Sequence, residues 1–223
     1  MYRVSTLFFV FFPLLRAEHE FCDGFKTDFD IKKAIGPWHV VAVIPDTNFS
    51  RKLDTNFSCY QVDFSEVDEA GLKWMLKQRF GKPADDMIDK VPGEVIRLRY
   101  HTDEPFDIWS KAIPGVKGCY KQLLDLSSNE KDIHHSKTLD SPTLLHLLET
   151  ENAVFLLQVL WGRISAIIYK RELDVYKEQL RPAYEFLSMY RRNIEEPKLC
   201  NAELLTPSPK QQTNYTMLTK VLH

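Results

Sequence analysis

Between Tyr60 and Tyr100 the chain has short runs in which apolar and polar residues alternate, and this pattern constrains the fold more than any other feature. Side chains of a strand point alternately to opposite faces, so a period of two marks a strand with one face buried. Tyr60-Gln61-Val62-Asp63-Phe64 alternates in this way. Leu72, Trp74 and Leu76 share one face, with Lys73 and Lys77 on the other. Ile96, Leu98 and Tyr100 stand opposite Arg97 and Arg99. Trp38 to Ile44, Phe106 to Trp109 and Cys119 to Leu126 are further β-rich runs. Many short strands separated by turn residues predict an all-β barrel or sandwich.

The later runs are apolar on both faces. Leu144 to Leu148, Ala153 to Leu160 and Ile164 to Tyr169 need cover on both sides, and the next segment supplies it. Pro182 suits the first turn of a helix, and Ala183, Phe186, Leu187, Tyr190 and Ile194 then recur at helical spacing. The spacing predicts a helix over about 182–195, ended before Pro197 and laid against the outside of the last strands.

The N-terminus reads as an export signal. Arg3 precedes a stretch, Val4 to Leu15, that is apolar apart from Ser5 and Thr6. It is far shorter than the roughly 20 residues that span a bilayer, but it suits a signal-peptide core. Ala17 offers a small residue for cleavage, so residues 1–17 are expected to be removed. The domain is then expected over 18–200, with a polar tail over 201–223. Four cysteines, Cys22, Cys59, Cys119 and Cys200, all follow that cut. An even count without CxxC spacing favours disulfides over zinc, though spacing alone permits three pairings. Three sequons, at Asn48, Asn56 and Asn214, become candidate N-glycosylation sites in an exported chain. The first two lie in a short tandem repeat, Asp46 to Ser50 and Asp54 to Ser58, polar enough to be an exposed loop.

With 29 Lys plus Arg against 31 Asp plus Glu, the charge balance gives no pull toward nucleic acid or an anionic membrane. No second long apolar run follows the signal, so no membrane span is expected in the mature form. Hydrolase elbow and zinc-protease motifs do not occur. His134, His135 and His146 could in principle bind a metal or haem iron, but they read as ordinary surface histidines, and no metal site is assigned.

The order of parts resembles the lipocalin family. Gly36-Pro37-Trp38, opening a strand shortly after a signal peptide and a cysteine, looks like that family's first motif. Leu148 to Phe155 resembles the second, a turn in which Thr150 keeps its place, Glu151 stands for Asp and the expected Tyr is missing. Arg171, closing the last barrel strand, matches the third, with Lys170 as its rival.

The resemblance implies an eight-stranded antiparallel up-and-down barrel, one C-terminal helix packed outside, and a floor where Arg171 lies over Trp38. In the four-cysteine, arthropod-like branch of the family, Cys59 would pair with Cys200, which leaves Cys22 with Cys119. Cys119 departs from that branch by lying before the second motif instead of just after it.

A barrel of this size leaves room for side chains or one small guest. The strand reading proposes Val40 and Ala42, Leu72, Trp74 and Leu76, then Ile96, Leu98, Tyr100, Trp109 and Phe155 as lining. The function implied is a secreted carrier of a small hydrophobic ligand, such as a pigment or lipid, needing no cofactor for chemistry. The alternative is a secreted interaction protein engaging a receptor through loops, with the polar segment Ser127 to Ser141 as the surface. An isomerase reading requires a free cavity thiol.

Overall fold

The computed structural model describes residues 22, 25–49, 57–68, 70, 71, 73, 74, 77, 94–122, 142–161 and 164–201. The expected signal peptide, Leu72, Leu76, Asn56, Asn214, His134, His135, the segment 127–141 and the tail beyond Asn201 lie outside the described residues.

Eight strands form the ring: β1 Gly36–Pro45, β2 Gln61–Val67, β3 Val95–His101, β4 Phe106–Ala112, β5 Cys119–Gln122, β6 Thr143–Glu149, β7 Val154–Val159 and β8 Ile164–Lys170. Each pairs antiparallel with the next in sequence, and β8 returns to pair with β1. Closure leaves the ring no free edge. A short helix, α1 Ile31–Ala34, capped by the Asp30 side chain, leads into β1.

The barrel closes through a division of labour along β1. Its first residues, Gly36 to His39, pair with β2, while His39 to Pro45 pair with β8. Farther along, Ala42 and Val43 pair on their other side with β9 Lys198–Leu199, a strand outside the ring.

Two apolar clusters divide along the wall. The inner one contains Trp38, Val40, Phe64, Leu98, Tyr100, Leu145 and Tyr169. The outer one lies under α2 Arg181–Ser188 and contains Val41, Ala42, Ile44, Phe155, Leu157 and Ile168. α2 buries Ala183, Phe186 and Leu187 against this face. Full burial of Phe186 and Leu187 contributes about 2 kcal/mol each before ordering costs. This is the cover that the two-sided apolar strands β6 to β8 require.

The structure differs from the sequence reading in two elements. Ala70, Gly71, Lys73, Trp74 and Lys77 are helical, so the expected strand over 72–77 is not a barrel stave. The C-terminal helix runs from Arg181 to Ser188, preceded by a 3-10 turn, Lys177–Leu180, and is shorter than the expected 182–195. Contacts with the end of β1 take over from the helix. Ile194 bridges Asp46, Thr47 N–H donates to Asn193 O, and Glu195 N–H donates to Pro45 O. Tyr190 instead stacks on Phe25, with ring centroids 4.2 Å apart.

Candidate functional site

Gly36 opens β1 with φ 107°, a conformation that favours glycine. It lets the chain turn from α1 into the strand and places Trp38 inside, 1% exposed, where its indole N–H donates to Ala34 O at 2.6 Å. Arg171, just past β8, lies over that ring with its Cζ 4.0 Å from the centroid. The rival Lys170 turns the other way, its Nζ bound to Asp174 O and Oδ1 at 2.5 and 3.1 Å. In the β6–β7 turn Thr150 Oγ1 donates to Ala153 O at 2.8 Å and accepts from Ala153 N–H at 3.1 Å, while Glu151 is exposed.

Of the proposed lining residues, Val40, Ile96, Leu98 and Tyr100 come together in the interior cluster. Ala42 does not. An extra residue between the pairs Val40↔Tyr169 and Ala42↔Ile168 forms a bulge, so the facing of β1 reverses and Val43, not Ala42, points inward. Phe155 faces outward under α2, because Leu156 and Gln158 take the inner positions of β7. Trp109 is buried on the outer face, as Ile108 fills the inner one, and the Arg97 guanidinium covers its ring at 5.5 Å. Trp74 is 63% exposed on its helical segment and lines nothing.

The interior also holds polar groups that the sequence reading passed over. Tyr169 hydroxyl donates to Gln158 Oε1 at 2.5 Å and lies 2.8 Å from the Tyr100 hydroxyl. Burial pushes the Tyr100 phenol up to about 12 and raises that of Tyr169 well above its ordinary value. Both hydroxyls therefore stay protonated at physiological pH. A polar residue inside a run that is greasy on both faces, as Gln158 is, was the available signal. Buried amides survive there only with partners.

Near the start of β1 a recess of about 430 Å³ is lined by residues that include Phe29, Ile31, Glu94, Lys117 and Tyr120. Tyr120 hydroxyl donates to Glu94 Oε1, and Phe29 meets the Tyr120 ring edge-on at 5.7 Å. Burial, reinforced by this carboxylate, raises the Tyr120 phenol pKa.

Disulfides join Cys22 to Cys119 and Cys59 to Cys200. The first ties the N-terminal segment to β5 within the outer cluster. The second fastens the chain after β9 to the approach to β2, beside a parallel bridge between Ser58 and Asn201. Asn48 is exposed in a 3-10 turn, Thr47–Phe49, its N–H held by Asp46 Oδ1 at 2.9 Å. His146 is buried and stacks on Phe186 with centroids 4.0 Å apart.

No protein-family model matches the sequence, and a search of curated proteins finds no match to it. The functional reading rests on the barrel and its contents.

Proposed function

We propose that this chain is a secreted carrier of the lipocalin type that holds one small, largely apolar molecule inside its barrel. The observation that carries the reading is the inner wall of a closed ring, built from Val40, Ile96, Leu98, Tyr100, Leu145 and Ile167 together with partnered polar groups. Such a wall favours an apolar guest by burial. A guest hiding about 300 Å² of apolar surface gains roughly 7 kcal/mol before ordering costs. Trp38 and Arg171 at one end add the arrangement that the lipocalin resemblance implies.

The reading is of binding without chemistry. All four cysteines are in disulfides, which leaves no thiol to serve as a nucleophile. The two disulfides fit an oxidising, extracellular destination, where such bonds persist. No described helix is long and apolar enough to cross a membrane.

Native mass spectrometry of protein from its own source, before and after solvent extraction, tests the proposal. A carrier releases a discrete small molecule on extraction, and the extracted protein then takes up an apolar fluorophore with one-to-one saturation. Protein of unchanged mass that shows no saturable uptake would refute the reading.

A further inference from the structure

The recess at the α1 end of the barrel joins apolar walls to a carboxylate that no cation offsets. Its volume, about 430 Å³, is that of a small-molecule site. Phe29 and Tyr120 on its wall belong to the interior cluster, and Ile31 packs against that cluster. Glu94 stands just ahead of β3, two residues before Ile96 and on the same side of the chain, and it is half-buried beside Tyr120.

Tyr120 gives Glu94 a hydrogen bond but no charge. Its single hydroxyl proton goes to Glu94 Oε1. Burial, together with the carboxylates of Glu94 and Glu66, keeps that phenol protonated. Glu66 stands on β2 opposite Ile96, on the inner side with Phe64, so a second negative charge faces the same hydroxyl.

The other charged groups of the recess are engaged elsewhere. Lys33 Nζ lies 2.7 Å from Glu149 Oε1, and Lys117 Nζ lies 3.4 Å from Asp28 Oδ1. Asp30 caps α1 by accepting the Lys32 N–H. Among the described residues Glu94 has the Tyr120 hydroxyl as its hydrogen-bond partner and no cation within ion-pair distance. A carboxylate so placed attracts a positively charged donor and repels an anion.

We propose that the recess binds a primary ammonium group carried on a short apolar stem, the ammonium donating to Glu94 and the stem lying against Phe29, Ile31 and Tyr120. The proposal goes beyond the carrier reading and holds whether or not the ring takes an apolar guest. The same chemistry is offered by a free alkylamine and by the lysine side chain of another protein.

The test titrates the full chain by calorimetry at neutral pH with hexylamine, 1-hexanol and hexanoate, which share a stem and differ in head-group charge. Hexylamine should bind at least about tenfold more tightly than 1-hexanol, and hexanoate more weakly than either. Glu94→Gln keeps a carbonyl oxygen for the Tyr120 hydroxyl and removes the charge. It should lose about tenfold in hexylamine affinity and leave that of 1-hexanol within about twofold. Lys117 is exposed, so Lys117→Gln should leave the fold intact, and the loss of a positive charge at the rim should tighten hexylamine about two- to threefold. A fourth probe, Nα-acetyl-lysine methylamide, separates the two sources. Binding as tight as that of hexylamine assigns the recess to a protein lysine, and weaker binding assigns it to a free amine.

Equal or tighter binding of 1-hexanol or hexanoate overturns the proposal. So does undiminished hexylamine affinity in Glu94→Gln, which would put the ammonium elsewhere, or weakened affinity in Lys117→Gln. If no probe binds, the recess is not a site and the proposal falls, while uptake of the apolar fluorophore still decides the carrier reading on its own.

Discussion

The guanidinium of Arg171 lies 4.0 Å from the centre of the Trp38 ring while its nitrogens donate to Pro37 O at 2.7 Å and to Lys33 O and Ile35 O at 2.9 Å. A single side chain from the end of β8 thus binds three carbonyls of the segment that enters β1. These carbonyls surround the α1–β1 junction, where Lys33 and Ile35 lie ahead of the first strand pairing. Only a planar fork of several donors can reach them together while its face covers an indole.

Arg171→Lys should therefore lose most of what Arg171→Ala loses. The site is partly open, so water replaces some of the bonds, and each variant should cost about 1–2 kcal/mol in urea unfolding. A lysine variant as stable as the wild type would show that charge alone, and not the fork, matters.

Gly36 is coupled to the same arginine. A Cβ built there would lie 3.0 Å from Arg171 Nη1, and the φ of 107° is one that side chains rarely adopt. Gly36→Ala should cost about 1–3 kcal/mol, part from backbone strain and part from displacing the guanidinium. In an Arg171→Ala background only the strain remains. A double-mutant cycle should then show a smaller penalty for the second substitution, and full additivity would contradict the coupling.

The floor of the barrel was legible in the sequence because its residues occupy fixed ends of elements: Gly36 and Trp38 at the head of one strand, Arg171 past the tail of another. Ile96, Leu98 and Tyr100 were legible for a related reason. Their strand is regular, and arginines mark its other face. Ala42 was not, because Val41 and Ala42 are both apolar and the bulge between them leaves no trace in the alternation. Phe155 sits in a strand covered on both faces, where alternation carries no phase. Leu72, Trp74 and Leu76 show how a short alternating run can mislead, since Trp74 stands exposed on a helical segment. Gln158 stood out as a polar residue in an apolar run, but its role depends on Tyr169 of β8, which lies elsewhere in the chain.

The interior proton chain orders two substitutions. Tyr169→Phe removes the donor to Gln158 and the acceptor for Tyr100, leaving two buried groups unpaired. Tyr100→Phe removes only a donor at the end of the chain and leaves Tyr169 bonded to Gln158. Tyr169→Phe should cost about 2–4 kcal/mol and Tyr100→Phe about 1 kcal/mol, read by urea unfolding of the ligand-free protein. The reverse order would mean that the protons run the other way.

The disulfides span 97 and 141 residues, and chain entropy alone assigns each about 5 kcal/mol as an upper figure. Because Cys59 lies within the first loop and Cys119 within the second, the two constraints overlap in the unfolded chain. Either bridge left in place already shortens the loop that the other closes, so removing both pairs should cost somewhat more than the sum of the separate losses. Thermal unfolding of Cys22→Ala/Cys119→Ala, Cys59→Ala/Cys200→Ala and the four-fold variant measures this, and a loss equal to the sum would show that the bridges act independently.

Acid should loosen the N-terminal segment through His146. Its Nδ1 accepts the Asp28 N–H at 2.9 Å, a role open only to the neutral ring, and its face lies flat on Phe186 of α2. Burial lowers its pKa below the ordinary histidine value, with the Asp28 carboxylate opposing the shift. A depressed folded-state pKa means that the unfolded chain takes up the proton first. The contribution of His146 to stability is then complete above about pH 6.5 and declines as the pH falls through that value toward the lower folded-state pKa. His146→Gln keeps an uncharged polar side chain with an acceptor and removes this titration. The wild type should lose urea resistance between pH 7.5 and 5 by more than the Gln variant does, and the protection factor of the Asp28 amide should fall over the same interval in the wild type alone. Parallel pH profiles for the two proteins would place the acid sensitivity elsewhere.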